Sequence, residues 1–413
     1  MEKTQFKING KRIYERADEL GLCSSPGLGV TRLPFTPESL RCEALIEQWM
    51  KQAGMKVWKD GVNNIIGRYE GKDPNAPVLL IGSHLDTVIE GGKYDGMLGV
   101  LTGIEVVQTL FDQGLTLNHP IEVVGFCDEE GVRFHSTFLG SRALVGTFTD
   151  EDLQRTDDAG ITLEAALINA GADPSSYPLA KRNREDVLGY LELHIEQGPV
   201  LEKENEPVGV VSGIAGVTRF SFEVSGKAGH AGTVPGRLRQ DALAGASEII
   251  LFIESVMKKY DPLVATVGKL TVLPGASNVI PGFVKGTLDI RDIDESRKES
   301  AINEIMKESR EIASGRGIQV KFEEVMKAPP TYCSEEFTSI TEQSIKELGG
   351  RPIKLISGAG HDAMAMAELT DVAMLFVRCK EGLSHHPDEA CTEEDITAGA
   401  KVLLSVVLKI ANK

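Results

Sequence analysis

The sequence predicts an α/β protein, with a mixed, largely parallel sheet in one domain and a smaller ferredoxin-like α+β domain inserted into it. Three observations carry this. Apolar runs in the first half are short and nearly continuous, and helical patterns separate them, as strands covered on both faces of a parallel sheet require. After about residue 212 the texture changes to alternating strands and long helices. From about residue 330 the first texture resumes, so 1–212 and 330–413 form one domain and 213–329 the insert.

Taken in order, residues 38–54 carry apolar side chains at helical spacing and end in Gly54, a suitable helix stop. VLLIG (78–82) reads as a buried strand, followed by a glycine-rich loop, a helix over 98–114 and a second strand at 121–127. The run LGYLELHIEQG supplies another strand of the same kind. In the insert, FSFEVSG (220–226), a helix over 241–260, strands at 265–273 and 283–293, a charged helix over 295–315 and a strand at 318–324 give the ferredoxin-like succession. AMLFVR (373–378) and a last helix near 393–411 complete the first domain.

A chain of 413 residues exceeds what one hydrophobic core usually organises. The net charge of −17, from 44 basic and 61 acidic residues, disfavours nucleic acid and anionic membrane surfaces as partners. The N-terminal stretch lacks an apolar core of signal-peptide length, and no apolar run reaches the roughly 20 residues of a membrane span. Six cysteines without C-x-x-C spacing fit reduced thiols, so the expected compartment is the cytoplasm.

Four segments place polar side chains where apolar runs end, the position at which open parallel sheets bind ligands. They deliver His84 and Asp86, then Asp128, Glu129 and Glu130, then His194, Glu196 and Gln197, and finally His385 and His386. Singly, each has a plainer reading: a strand-end histidine is usually a hydrogen-bonded side chain, and paired glutamates often open a helix. Four such clusters in one chain point instead to one crevice. Imidazole and carboxylate without thiolate suit zinc, manganese, cobalt or nickel. Asp95, in the glycine-flanked GGKYDG, is a carboxylate able to bridge two cations, with His84, Glu130, His194 and His385 as the terminal ligands.

The chain resembles the dinuclear-metal aminoacylase and carboxypeptidase superfamily. Within it, the chain resembles the branch of N-carbamoyl-L-amino acid hydrolases, allantoate amidohydrolases and ureido-acid hydrolases. The segments are GSHLDTVIEGGKYDG (82–96), CDEEGVRF (127–134), ELHIEQGPVLE (192–202), GHAGTVP (229–235), NVIPG (278–282), SGAGHDA (357–363) and GLSHHPDE (382–389). ELHIEQG and SGAGHDA mark this branch rather than the peptidases.

The resemblance implies two divalent metal ions on His84, Asp95, Glu130, His194 and His385. It makes Glu129 the general base and has Asp86 orient the His84 ring by a hydrogen bond. His385 rather than His386 fits the Ser-His-x-Pro pattern. His230 is implied as a catalytic donor to the oxyanion, acting in the partner subunit's site of a homodimer. The insert then serves as a lid and dimerisation domain and the remainder as the metal-binding catalytic domain. Gln197, Asn278, Arg291 and Gly360 correspond to substrate contacts, with Arg291 as a clamp on the substrate carboxylate; a surface pairing with Asp289 or Asp292 is its plainer alternative. His361 and Asp362 are expected to support the site, and His119 and His135 to be structural or solvated.

Val234, Gly236 and Gln240 depart from the related enzymes, which commonly have a methionine after the proline of this stretch and a doubled arginine before an aspartate shortly beyond. The departure bears on the substrate-facing surface, not the reaction class. The expected activity is hydrolysis of N-carbamoyl-L-amino acids to amino acid, carbon dioxide and ammonia. The alternatives are allantoate amidohydrolase of purine degradation and a β-ureidopropionase-like ureido-acid hydrolase. Behind these stand a peptidase or aminoacylase and a catalytically silent binding protein, the last disfavoured because all five ligands and Glu129 are present.

Overall fold

The computed structural model describes residues 7–413, so the first six residues of the N-terminal stretch read for a leader lie outside the described residues. The chain separates into two compact units: residues through Ser212 together with Cys333–Lys413, and Gly213–Tyr332.

The first unit is organised by a mixed sheet. Its central strands, Ile121–Phe126, Val78–His84, Val187–Ile195 and Val372–Val377, lie in that order and run parallel. Every residue of Val78–His84 is buried, which explains a run with no polar alternation. Antiparallel strands extend both sides, Ile65–Tyr69 next to Ile121–Phe126 and Val208–Ile214 next to Val372–Val377. The sequence reading passed over these two: VGVVSGI is broken by glycines and straddles the expected boundary at 212.

Strand periodicity divides the side chains between two faces. Leu79, Ile81, Leu191, Leu193, Leu375 and Val377 join Leu101 of helix Met97–Asp112 and Leu403 of helix Glu393–Ile410 in the main core. Each such burial contributes about 1.5–3 kcal/mol. Truncating fully buried Leu101 to alanine would cost about 2–5 kcal/mol. Tyr190, Glu192 and His194 alternate with Leu191 and Leu193, so they take the opposite face.

The N-terminal helices frame this core. Helix Pro37–Gln52 starts with Thr36 and Ser39 capping each other and Pro37 in its first turn, and Gly54 follows its end with φ +77°. The Arg32 guanidinium is fully buried and donates to the carbonyls of Leu85 at 2.7 Å, Leu20 at 2.8 Å and Cys23 at 3.1 Å. It ties the end of helix Gly10–Gly21 to the segment leaving the His84 strand.

The second unit is a four-stranded antiparallel sheet in the order Gln319–Ala328, Gly216–Ser225, Phe283–Asp292, Val264–Leu273. Helices Ala242–Lys259 and Glu295–Arg316 pack on it through a core that includes Phe222, Val224, Ile249, Ile253, Leu288 and Ile305. This is the succession expected from the sequence. A two-stranded ribbon, Gly229–His230 with Val279–Ile280, interrupts it and was not anticipated. Among the described residues no helix is long and apolar enough to cross a membrane. All six cysteines are buried free thiols.

Candidate metal centre

Parallel strands deliver their ends to one edge of the sheet, and the five predicted ligands and Glu129 collect there. His84 ends Val78–His84, and His194 is the penultimate residue of Val187–Ile195. Glu129 and Glu130 follow Ile121–Phe126, and His385 follows Val372–Val377. Asp95 precedes helix Met97–Asp112 at Gly96, whose φ of +72° favours glycine and where a Cβ would lie 2.4 Å from the His84 ring.

Asp95 is the hub. Its Oδ1 lies 3.4 Å from His84 Nε2 and 3.1 Å from His194 Nε2, while its Oδ2 lies 3.2 Å from His385 Nε2. His385 Nε2 is also 3.2 Å from Glu130 Oε1. Two groups that could hold a metal ion therefore share Asp95: His84, Asp95 and His194, and Asp95, Glu130 and His385. A third group, His84, Glu129 and Glu130, overlaps them.

The ring orientations fit cation binding. His84 Nδ1 faces the Asp86 carbonyl at 3.0 Å, and His194 Nδ1 faces the Ile195 carbonyl at 2.9 Å. A nitrogen facing a carbonyl carries the proton, so each neutral ring presents its Nε2 lone pair towards the Asp95 carboxylate. His194 Nε2 also accepts the Gly96 N–H at 3.2 Å. Lone pairs aimed at an anion repel it unless a cation or proton stands between. Nitrogen and oxygen donors without sulfur suit the borderline divalent ions.

The electrostatics follow from crowding. Burial alone would raise the Asp95 carboxyl, but His194, His385 and His84 overcome this and hold it well below the usual range. Burial disfavours the charged His84 ring, yet Asp95, Glu129 and Asp86 raise it well above its ordinary value. Glu129 is pushed well up by burial, opposed by His84 and assisted by Glu130, Asp362 and Asp86.

Asp86 departs from expectation. Its carboxylate stands 3.8 Å from His84 Nδ1 and instead accepts the N–H groups of Glu129 and Glu130. Two amides presented in succession satisfy both oxygens, and the His84 ring is left to the Asp86 main-chain carbonyl. Gln197 donates to Asp95 Oδ2 at 2.9 Å and to Ser384 Oγ at 3.2 Å, leaving its buried Oε1 without a partner. At Gly360 a Cβ would meet Phe138 at 2.9 Å. His386 faces Asp388 rather than Asp95.

The remaining predicted residues are in the second unit. His230 is exposed on its ribbon, paired in register with Val279, and the neighbouring Ala231 N–H donates to the Asn278 carbonyl at 2.9 Å. Arg291 is held by Asp289, through Nε at 2.7 Å and Nη2 at 3.0 Å. In the first unit, His119 bonds the Pro77 carbonyl and His135 pairs with Asp158 at the surface.

Supporting residues lie behind the centre. His361 is buried, stacks edge-on against His194 at 4.5 Å and bonds Ser357 Oγ at 2.7 Å. Asp362 accepts Ser141 Oγ at 2.6 Å. The sequence reading gave no role to Glu192, Ser384 or Glu389. Glu192 accepts Ser83 Oγ at 2.8 Å, the Ala363 N–H at 3.0 Å and the Tyr190 hydroxyl at 3.1 Å. Its signal was available, because it lies two residues before His194 on the same strand face.

Comparison with known proteins shows the family. The model of "Peptidase family M20/M25/M40" matches residues 80–409. An N-carbamoyl-L-amino acid amidohydrolase of Geobacillus stearothermophilus is 44% identical over 405 residues, covering 98% of this chain and 99% of the relative. An allantoate deiminase of Arabidopsis thaliana is 41% identical, covering 94% of this chain and 80% of the relative. The crystal structure of an amidase of the hydantoinase/carbamoylase family from Burkholderia multivorans superposes with a TM-score of 0.94 at 34% identity over 99% of both chains. Matched along most of its length, and carrying its histidines and acids where the parallel strands end, the chain belongs to the M20/M25/M40 peptidase family.

Proposed function

We propose that the chain is a metal-dependent amidohydrolase that removes the N-carbamoyl group of N-carbamoyl-L-amino acids, yielding amino acid, carbon dioxide and ammonia. The observation that carries this reading is the arrangement around Asp95. Two donor groups share it, and a buried carboxylate, Glu129, stands outside both. The choice of substrate is supported by the extent of the similarity to the Geobacillus amidohydrolase.

His84, Asp95 and His194 would hold one divalent ion and Asp95, Glu130 and His385 a second, with zinc, manganese, cobalt or nickel suited to these donors. Such ions, when bound, polarise a carbonyl and acidify water. A ureido carbonyl is a poor electrophile because two nitrogens donate into it, so the protein must also manage protons and developing charge. Glu129, with its raised affinity for a proton, takes one from the attacking water and delivers it to the departing nitrogen. His230 donates to the carbonyl oxygen as it becomes negative. Arg291 exchanges Asp289 for the substrate carboxylate, and Gln197, Asn278 and Gly360 complete the contacts. The first unit is then the metal-binding catalytic domain and the second a lid and dimerisation domain. In this reading the protein is a cytoplasmic homodimer, and each His230 serves the site of the partner subunit.

The test is ammonia release by metal-reconstituted protein from N-carbamoyl-L-methionine, 3-ureidopropionate and allantoate, with an EDTA-stripped control. Faster turnover of the carbamoyl amino acid supports the reading. Preference for allantoate moves the enzyme to the activity named for the Arabidopsis relative. No metal-dependent release from any of them removes the substrate class.

A further inference from the structure

We propose that Glu389 is a positioning residue that fastens the loop bearing Asp95 to the loop bearing His385, so that both faces of the Asp95 carboxylate are set before an ion arrives. The inference rests on the metal-binding reading above and extends it to a residue outside the ligand set.

Glu389 is buried, and its Oε1 accepts two successive main-chain N–H groups, those of Tyr94 at 2.8 Å and Asp95 at 3.1 Å. Its Oε2 lies 3.1 Å from Ser384 Oγ, and that hydroxyl lies 2.6 Å from Asp95 Oδ2. Gln197 Nε2 reaches the same Oδ2 at 2.9 Å. The backbone of Asp95 is therefore held by Glu389 and its side chain by Ser384 and Gln197. Residues 289 to 295 positions away in sequence are brought to hydrogen-bond distance by this one contact set.

Two further observations mark the contact as specific. A Cβ at Gly92 would lie 2.1 Å from the Glu389 carboxyl carbon, so the loop approaches as closely as only glycine permits. Among the described residues no lysine, arginine or histidine pairs with Glu389; its partners are amides and a hydroxyl. A buried carboxylate without a cation is costly, and bonds from main-chain amides are what offset it. The site it fixes is one where misplacing Asp95 displaces the shared member of both donor groups at once. Supporting groups of this kind are generally worth about 10–100-fold in metal affinity.

The experiment compares wild type with Glu389→Ala, Glu389→Asp and Glu389→Gln in two readouts. The first is hydrogen exchange at Tyr94 and Asp95 in metal-free protein, and the second is zinc affinity by competition with a chelator. Glu389→Ala and Glu389→Asp should speed exchange at these two amides roughly tenfold and weaken zinc about 10–100-fold. The aspartate variant keeps the charge but lacks the reach, and covers the case in which the alanine variant does not fold. Glu389→Gln keeps an acceptor for the amides and should stay within a few-fold of wild type in both readouts. Unchanged exchange and affinity in Glu389→Asp overturn the proposal, as does a glutamine variant as impaired as the alanine one. A wild-type protein that takes up no zinc would instead sink the metal reading, while the metal-free exchange data still judge Glu389.

Discussion

Asp86 accepts the main-chain N–H of Glu129 at 3.0 Å with one carboxylate oxygen, while the other takes that of Glu130 at 3.1 Å. Asp128, at φ +50°, turns the chain so that both amides point back to the His84 segment. One side chain thus orients the proposed base and a proposed ligand together. Asp86→Asn places an NH2 group against one of these donors and should lower kcat about 10–100-fold with metal content retained. Steady-state kinetics and metal analysis decide this. Loss of metal with normal turnover per bound ion would return Asp86 to orienting the imidazole.

Glu129→Gln removes the proton acceptor while preserving shape. Metal content should stay at the wild-type level and ammonia release should fall at least about 10²-fold. Turnover near wild type would place the base elsewhere.

Arg32 satisfies three main-chain carbonyls with one buried side chain. Arg32→Met should leave them unpaired and lower stability by about 3 kcal/mol, read from the midpoint of urea unfolding. Arg32→Lys, with a single ammonium in place of a fork, should recover only part of this. A change under about 0.5 kcal/mol for the methionine variant would show that water replaces the guanidinium there.

His84 was legible because its buried parallel strand is apolar until close to its end, and His194 because it closes a run of mostly apolar residues. Glu389 was not, since an acid on a loop looks solvated until the chain folds back on Gly92. The role of Asp86 came from the family resemblance, and a motif cannot say that two amides of a later turn offer better partners. The strand Val208–Ile214 escaped because its glycines weaken the pattern and its burial comes from neighbours remote in sequence. In the second unit Gly216–Ser225 and Phe283–Asp292 alternate in burial and were readable; its ribbon is only two residues on each side, too short to carry a period.

The thiols offer a pH-dependent check. Burial pushes Cys42 and Cys379 up to about 11 and Cys333 up to about 12, from an ordinary value of 9.0. Cys23, Cys127 and Cys391 shift in the same direction, also chiefly from burial. Because the folded state favours the neutral thiol, the associated stability is fully present below about 9 and is lost as pH rises through about 11. Ellman's reagent at pH 8 should find no fast-reacting thiol in native protein and all six after denaturation. A thiol that reacts rapidly in the native state would contradict this.

Strand Val372–Val377 lies between Val187–Ile195 and Val208–Ile214, although the whole second unit separates it from them in the chain. The ribosome therefore releases both flanking strands well before the one that fits between them. Until then the nascent protein carries a gap edged by unpaired N–H and C=O groups, the kind of template on which chains stick to one another. His385 emerges later still, beyond that missing strand. Translation arrested within the second unit leaves a sheet that cannot close, and of the two donor groups that share Asp95 only the one with Glu130 and His385 waits for the end of synthesis.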